Sequence, residues 1–234
     1  MSNRSGRAVL VIIAALGLAA TAAFVFVTLR GRPDAGAGTA RVGEPSPVGE
    51  IVVQFPAGGL VPTNEWPDAC RLLSDHDVKA VLPDATDVET APLSVSTRTV
   101  EEFRADPSSR EDEYQQSGRC THSLQLPGER VNSSTVVRFR IVAVGDPDLI
   151  ARYHRNQQLG RGAGVGGTPR PSVDECYLGD LYGAELVCRR GPVMFELGGS
   201  TTVLFREWGG TSVWRDEVLG RFATSAGAKL RWTA

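Results

Sequence analysis

Residues Ala8–Leu29 form an unbroken uncharged run, and no other feature constrains this chain as strongly. As an α-helix rising ~1.5 Å per residue, the run is roughly 33 Å long, enough to cross a hydrocarbon core of about 30 Å. It therefore predicts one spanning segment, with residues 1–7 on one side of a membrane and everything after Arg30 on the other. The rival reading is a cleaved signal peptide, which has a basic start, a shorter apolar run and a small-residue cleavage site. Arg4 and Arg7 supply the basic start, and Ala20-Thr21-Ala22 resembles such a site. The run continues beyond that site through Phe24-Val25-Phe26-Val27-Thr28-Leu29, so the sequence favours a retained signal-anchor.

Orientation does not follow from the flanking charges. Arg4 and Arg7 at one end balance Arg30 and Arg32 at the other, which ties the positive-inside count. The cysteines break the tie. There are four, Cys70, Cys120, Cys176 and Cys188, all downstream of the anchor and without the spacing of a zinc or redox motif. An even set of this kind reads as disulfides, which persist in oxidising compartments. The expectation is a cytoplasmic amino terminus, with the bulk of the chain outside the cell membrane. Three connectivities are open in principle. Locality favours Cys70 with Cys120 and Cys176 with Cys188, because the second pair brackets a hairpin-like segment, CYLGDLYGAELVC.

Residues 30–50 contain the run PDAGAGTARVGEPSPVGE, which has no helical or strand period and is expected to be a flexible tether. Residues 51–234 are long enough for one domain with a proper core. Within them, Ser74 with Asp77 three residues later opens a helix that Pro83 stops. Leu93–Val100 alternates like a strand, and Glu101–Tyr114 is an acidic, solvated stretch. Thr135–Val144 places Val137, Phe139, Ile141 and Ala143 on one strand face, with Arg138 and Arg140 on the other. Cys120–Leu126 pairs with it across the Pro127-Gly128 turn. Asp146-Pro147 then caps a helix that carries Leu149, Ile150, Tyr153 and Gln157 on one face and ends near Gly160.

After Cys188 the order recurs: Val193–Leu197, a Gly198-Gly199 hairpin turn, Thr201–Trp208, and a helix over Trp214–Leu230 with Val218, Leu219, Phe222 and Ala226 as its apolar stripe. Each half reads cysteine, strand, strand, helix. The predicted fold is therefore α+β: a pseudo-repeated antiparallel sheet with helices on one face.

Several motifs carry little chemistry. Gly162–Gly167 matches G-x-G-x-x-G, but a helix precedes it and Thr168-Pro169-Arg170-Pro171 follows, the reverse of the strand–loop–helix context that binds a pyrophosphate. His76, His122 and His154 share no metal-ligand spacing, so no metal site is expected. No nucleophile-elbow motif appears, so no catalytic residues are assigned. Asn132-Ser133-Ser134 is a glycosylation sequon. A net charge of −2 gives no pull toward nucleic acid. The residues best suited to bind a ligand are Trp208 and Trp214, with Arg206 and Arg215 beside them, because aromatic-lined concave surfaces take small molecules.

The segment Pro67-Asp68-Ala69-Cys70-Arg71-Leu72-Leu73-Ser74, after an anchor and a tether, resembles the start of actinobacterial DUF3558-type exported proteins. Gly118-Arg119-Cys120-Thr121 resembles their second cysteine block. The pattern is also similar to extracytoplasmic sensor domains of membrane-bound serine/threonine kinases, which carry two bridges around a cleft. The resemblance implies a Cys70–Cys120 bridge and no catalytic residues. Many such proteins are lipoproteins, whereas no cysteine precedes Cys70 here. The expectation from the sequence is a non-catalytic, cofactor-free binding or sensor-like module of the cell envelope, tethered to the membrane by Ala8–Leu29 and able to meet an envelope ligand or protein partner. The alternatives are an envelope hydrolase with dispersed catalytic residues and a structural envelope protein.

Overall fold

The computed structural model describes residues 40–97, 113–129, 133–161, 170–179, 185–201 and 214–233, and the backbone alone at 96–97 and 113–116. The anchor Ala8–Leu29, the acidic stretch as far as residue 112, Asn132, the glycine-rich loop and residues 202–208 lie outside the described residues. Among the described residues no helix is long and apolar enough to cross a membrane.

Six strands form one antiparallel sheet: β2 (Thr86–Thr97), β3 (Glu113–Gln125), β4 (Thr135–Val144), β5 (Glu175–Leu178), β6 (Glu185–Arg190) and β7 (Val193–Ser200). Their spatial order is β2-β3-β4-β7-β6-β5, two three-strand meanders joined by the pairing of β4 with β7. A separate parallel pair joins β1 (Ile51–Gln54) to β8 (Leu230–Thr233). The helices are α1 (Ala69–Leu72), α2 (Asp75–Val81), α3 (Pro147–Gly160) and α4 (Gly220–Lys229), the last preceded by a π-helical stretch, Trp214–Leu219.

Strand β4 follows its alternation. Val137, Phe139 and Ile141 are buried against Leu186, Cys188, Phe195 and Leu197 of the second meander, and Phe139 stacks on Phe195 at 5.2 Å. Each such side chain contributes roughly 1.5–3 kcal/mol by leaving water. α1, α2, α4 and Trp214 close this face, with Leu72, Val78, Val81, Val218, Leu219, Phe222 and Ala226 at its centre.

The other face is covered over β5–β7 by α3, whose Ile150 and Tyr153 pack on Tyr177, Val187 and Met194. Helices therefore lie on both faces, which corrects the one-face expectation. A register shift between Ile141 and Ala143 contributes, because the extra residue moves Ala143 out of the Val137–Ile141 row and into the α3 cluster.

Gly198-Gly199 is a second correction. Both glycines lie inside β7, where Gly198 pairs with Arg138 and Gly199 with Val137. A β-carbon on Gly199 would stand 2.5 Å from the Val136 carbonyl and 2.8 Å from the Trp214 ring. The glycine admits a close neighbour; it does not turn the chain. The last helix also ends at Lys229, and Leu230 begins β8.

Residues 40–50, part of the stretch with tether composition, run extended against the domain. Ala40 is buried, Gly43 N–H donates to Val81 O, and Arg41 grips Asp84, pushing that carboxyl down to about 2.

Candidate functional site

The two bridges join Cys70 to Cys120 and Cys176 to Cys188. Asp68 caps α1 by accepting from the Cys70 and Arg71 N–H groups, which fixes Cys70 over the middle of β3. Cys176 and Cys188 face each other across the β5–β6 ladder.

The corner between α1 and α2 holds the polar centre of the domain. Ser74 and Asp77 make the predicted reciprocal cap: the Ser74 N–H donates to Asp77 Oδ2 at 2.8 Å. Asp77 is also met by the Lys229 ammonium and by Ser225 Oγ at 2.7 Å. Asp77, Ser225 and Lys229 are all buried. Burial pushes the Asp77 carboxyl upward, but the hydrogen bonds from Lys229, Ser74 and Ser225 outweigh it and hold the group below its ordinary value.

Beside this pair, His122 lies buried next to the Cys70–Cys120 bridge, with Nε2 at 2.9 Å from Leu73 O and 3.4 Å from Cys120 Sγ. A carbonyl only accepts, so Nε2 carries the proton. Nδ1 faces the Thr90 hydroxyl at 2.8 Å, and that hydroxyl also reaches Asp75. Burial pushes the His122 pKa down. His154, on α3, is shifted the same way by burial and sits edge-on to Tyr177 at 4.8 Å. Both are buried hydrogen-bonding histidines; His76 is exposed. The Asp77 carboxylate and the His122 imidazole are shut away from solvent, while Asp75 is exposed, and together they hold α2, α4 and the sheet in place.

Among the described residues an open concavity lies elsewhere, beside β8. It encloses about 490 Å³ and is lined by Ser172, Arg190, Ala228, Leu230, Arg231 and Trp232, a volume within the range of ordinary ligand sites. Its walls are set by tight backbone approaches. Gly191, at φ +52 in the β6–β7 turn, lies so near Trp232 that a β-carbon would be 2.7 Å from the indole. Ser172 adopts φ +62, a strained value for a residue with a side chain.

The Arg190 guanidinium carbon stands 5.1 Å from the Trp232 ring centroid, a cation–π distance. Arg190 is held by Asp174 at 3.1 Å, and Asp174 also takes the Gly191 N–H at 2.7 Å and Arg189 at 3.0 Å. Arg231 meets Glu50 at 3.2 Å and caps the carbonyls of Ala228 and Leu230, each at 2.9 Å.

Of the four residues expected to bind a ligand, Arg206 and Trp208 lie outside the described residues. Trp214 is buried against Gly199, and Arg215 turns to its neighbour Asp216 at 2.7 Å. The sequence reading missed Trp232 with Arg190. Both residue types are visible in the sequence, but nothing there places residues 42 positions apart against one another. Among the described residues no three histidine, cysteine or acidic side chains gather as metal ligands. Compared with family models, curated proteins and solved structures, the chain matches none.

Proposed function

We propose that this protein is a membrane-anchored, extracytoplasmic binding module that acts without catalysis, with the concavity beside β8 as its ligand site. The observation that carries this reading is the shape of that site. Leu230, Arg231 and Trp232 all line it, although successive strand residues point to opposite faces, and no β1 residue does. The hollow therefore runs along the free edge of β8. Leu230 gives its N–H to Gly227 O and its carbonyl to Arg231. By strand alternation, the Trp232 backbone groups also point away from β1, toward the hollow.

An indole, two guanidiniums and a hydroxyl make a recognition surface. Among the described residues no buried nucleophile is paired there with a base. The apolar run Ala8–Leu29 and the four bridged cysteines support placement on the oxidising side of a membrane. The cysteine blocks support kinship with the DUF3558-type exported proteins and the kinase sensor domains.

We also read the sheet as a repeat. A two-fold axis through the Arg140–Glu196 pair relates Phe139 to Phe195 and Cys120 to Cys188, since Cys120 pairs with Phe139 and Cys188 with Phe195. The helices break this symmetry, because α3 and α4 cover opposite faces.

The test uses the full chain purified in detergent from its native membrane, beside Trp232→Ala. Mass spectrometry is expected to find an envelope molecule that the wild type retains and the variant loses by tenfold or more. Equal retention by both, or none by either, would overturn the assignment of the site.

A further inference from the structure

Among the described residues nothing covers one face of the meander β2-β3-β4, and its side chains are not those of an ordinary solvated sheet. Register and alternation place Thr121 and Arg119 of β3 beside Arg138 and Arg140 of β4, and Ala91 and Leu93 of β2 beyond them. Arg119 stands directly opposite Arg140, and Arg138 opposite Thr121. Directly opposed side chains have β-carbons about 5 Å apart, and like charges in that position repel. Compensation is sparse. Arg140 reaches Glu196 only at 3.9 Å, with its side chain 40% exposed, a geometry worth little in water. No carboxylate lies within ion-pair distance of Arg119 or Arg138 among the described residues, and Arg119 Nε is buried without a hydrogen-bond partner. Glu89 of β2 shares the face but stands opposite Ser123, two strands away from β4, and Glu185 of β6 is taken by Arg161 at 3.7 Å.

From this geometry we infer a second binding site, independent of the hollow beside β8: Arg119, Arg138 and Arg140, with the Thr121 hydroxyl, form a ledge that binds a soluble polyanionic chain bearing phosphate groups. Guanidinium forks match phosphate oxygens in pairs, and three of them on neighbouring strand positions can engage successive charged groups of one chain. Shape selects the chain over a bilayer. On the same side of the sheet, α3 covers β5–β7 and stands about 10 Å proud of the bare strands, the thickness of a helix with its side chains. The arginines form the floor of a step with α3 as its riser. A flat bilayer surface is held off that floor, whereas a flexible polymer can lie along it. Bound anion also relieves the repulsion between Arg119 and Arg140, so binding stabilises the fold.

The test uses the full chain in neutral detergent, with inorganic polyphosphate as the probe and phosphatidylglycerol vesicles as the lipid arm. Wild type is expected to bind polyphosphate at low salt, to lose roughly tenfold or more in affinity between 50 and 200 mM salt, and to melt at a higher temperature when the probe is present. Arg119→Gln with Arg138→Gln and Arg140→Gln should lose at least tenfold in affinity. Without probe, the Arg119→Gln single variant should melt slightly above wild type, a gain that a merely structural arginine would not give. Equal binding by wild type and the triple variant, or no binding by wild type at 50 mM salt, overturns the ledge. So does a preference for the vesicles over polyphosphate that depends on these three arginines. Loss of the Trp232-dependent ligand leaves this result untouched, so the two sites stand or fall separately.

Discussion

Cys120 and Cys188 hold equivalent positions in the two meanders, yet Cys120 reaches up to α1 while Cys188 reaches sideways to the neighbouring strand. The first bridge spans 50 residues and ties the helical layer to the sheet. The second spans 12 residues and ties two strands that already share a ladder. Similar chemistry at equivalent sites thus does different work. One bridge holds an element with few backbone bonds to the sheet, and the other reinforces a pair that is hydrogen-bonded without it. The helical corner over the first meander depends on side chains: the Cys70–Cys120 bridge, the buried Asp77–Lys229 pair and the His122 contacts. The second meander depends on its ladder and on the α3 cluster.

That contrast can be broken by substitution. The largest loss is expected from Lys229→Met, which leaves Asp77 buried without its cation and should cost about 3–5 kcal/mol in denaturant titration. The paired change Asp77→Asn with Lys229→Met should recover much of that loss. Opening the long bridge with Cys70→Ser and Cys120→Ser should cost about 4 kcal/mol on chain-entropy grounds. Limited proteolysis is then expected to cut first around α1 and α2, the layer that bridge holds. Opening the short bridge with Cys176→Ser and Cys188→Ser should cost at most about 3 kcal/mol, without new cuts in β5 or β6. Equal losses and the same cleavage sites for the two bridges would remove the distinction.

The smallest effect concerns pH. The folded pKa values of His122 and His154 lie below 6.5, so the stability tied to their neutral forms is complete above pH 6.5 and is lost as pH falls through the folded values. Asp77 is depressed below 3.8 and adds a further loss at lower pH. Melting temperature followed from pH 7.5 to 4 should therefore fall, and His122→Gln should flatten the upper part of that fall.

Much of this architecture was legible in local patterns. The alternation of Thr135–Val144, the Ser74–Asp77 cap, the Asp146-Pro147 helix start and both cysteine pairs each depend on neighbours close in sequence or on a short loop. The misread features depend on distant neighbours. Gly198-Gly199 has the composition of a turn, and only the Trp214 ring pressing on Gly199 explains why it is strand. Lys229 has the residue type of a solvated helix face, yet Asp77, 152 positions away, draws it into the core. Helices on both faces were hidden by the β4 register shift, which no residue type announces. The hollow was hidden because Leu230 reads as the end of a helix with no strand signal in the residues after it, and its partner Arg190 ends a strand of another hairpin. The ledge was half visible: Arg138 and Arg140 alternate outward from β4, but Arg119 joins them only once the β3 register is known.

Peptide mapping of the native protein without reductant, after thiol blocking in intact cells, tests the oxidised-side placement most directly. Two linked peptide pairs are expected, Cys70 with Cys120 and Cys176 with Cys188, and no alkylated cysteine. Recovery of all four cysteines as blocked thiols would contradict that placement.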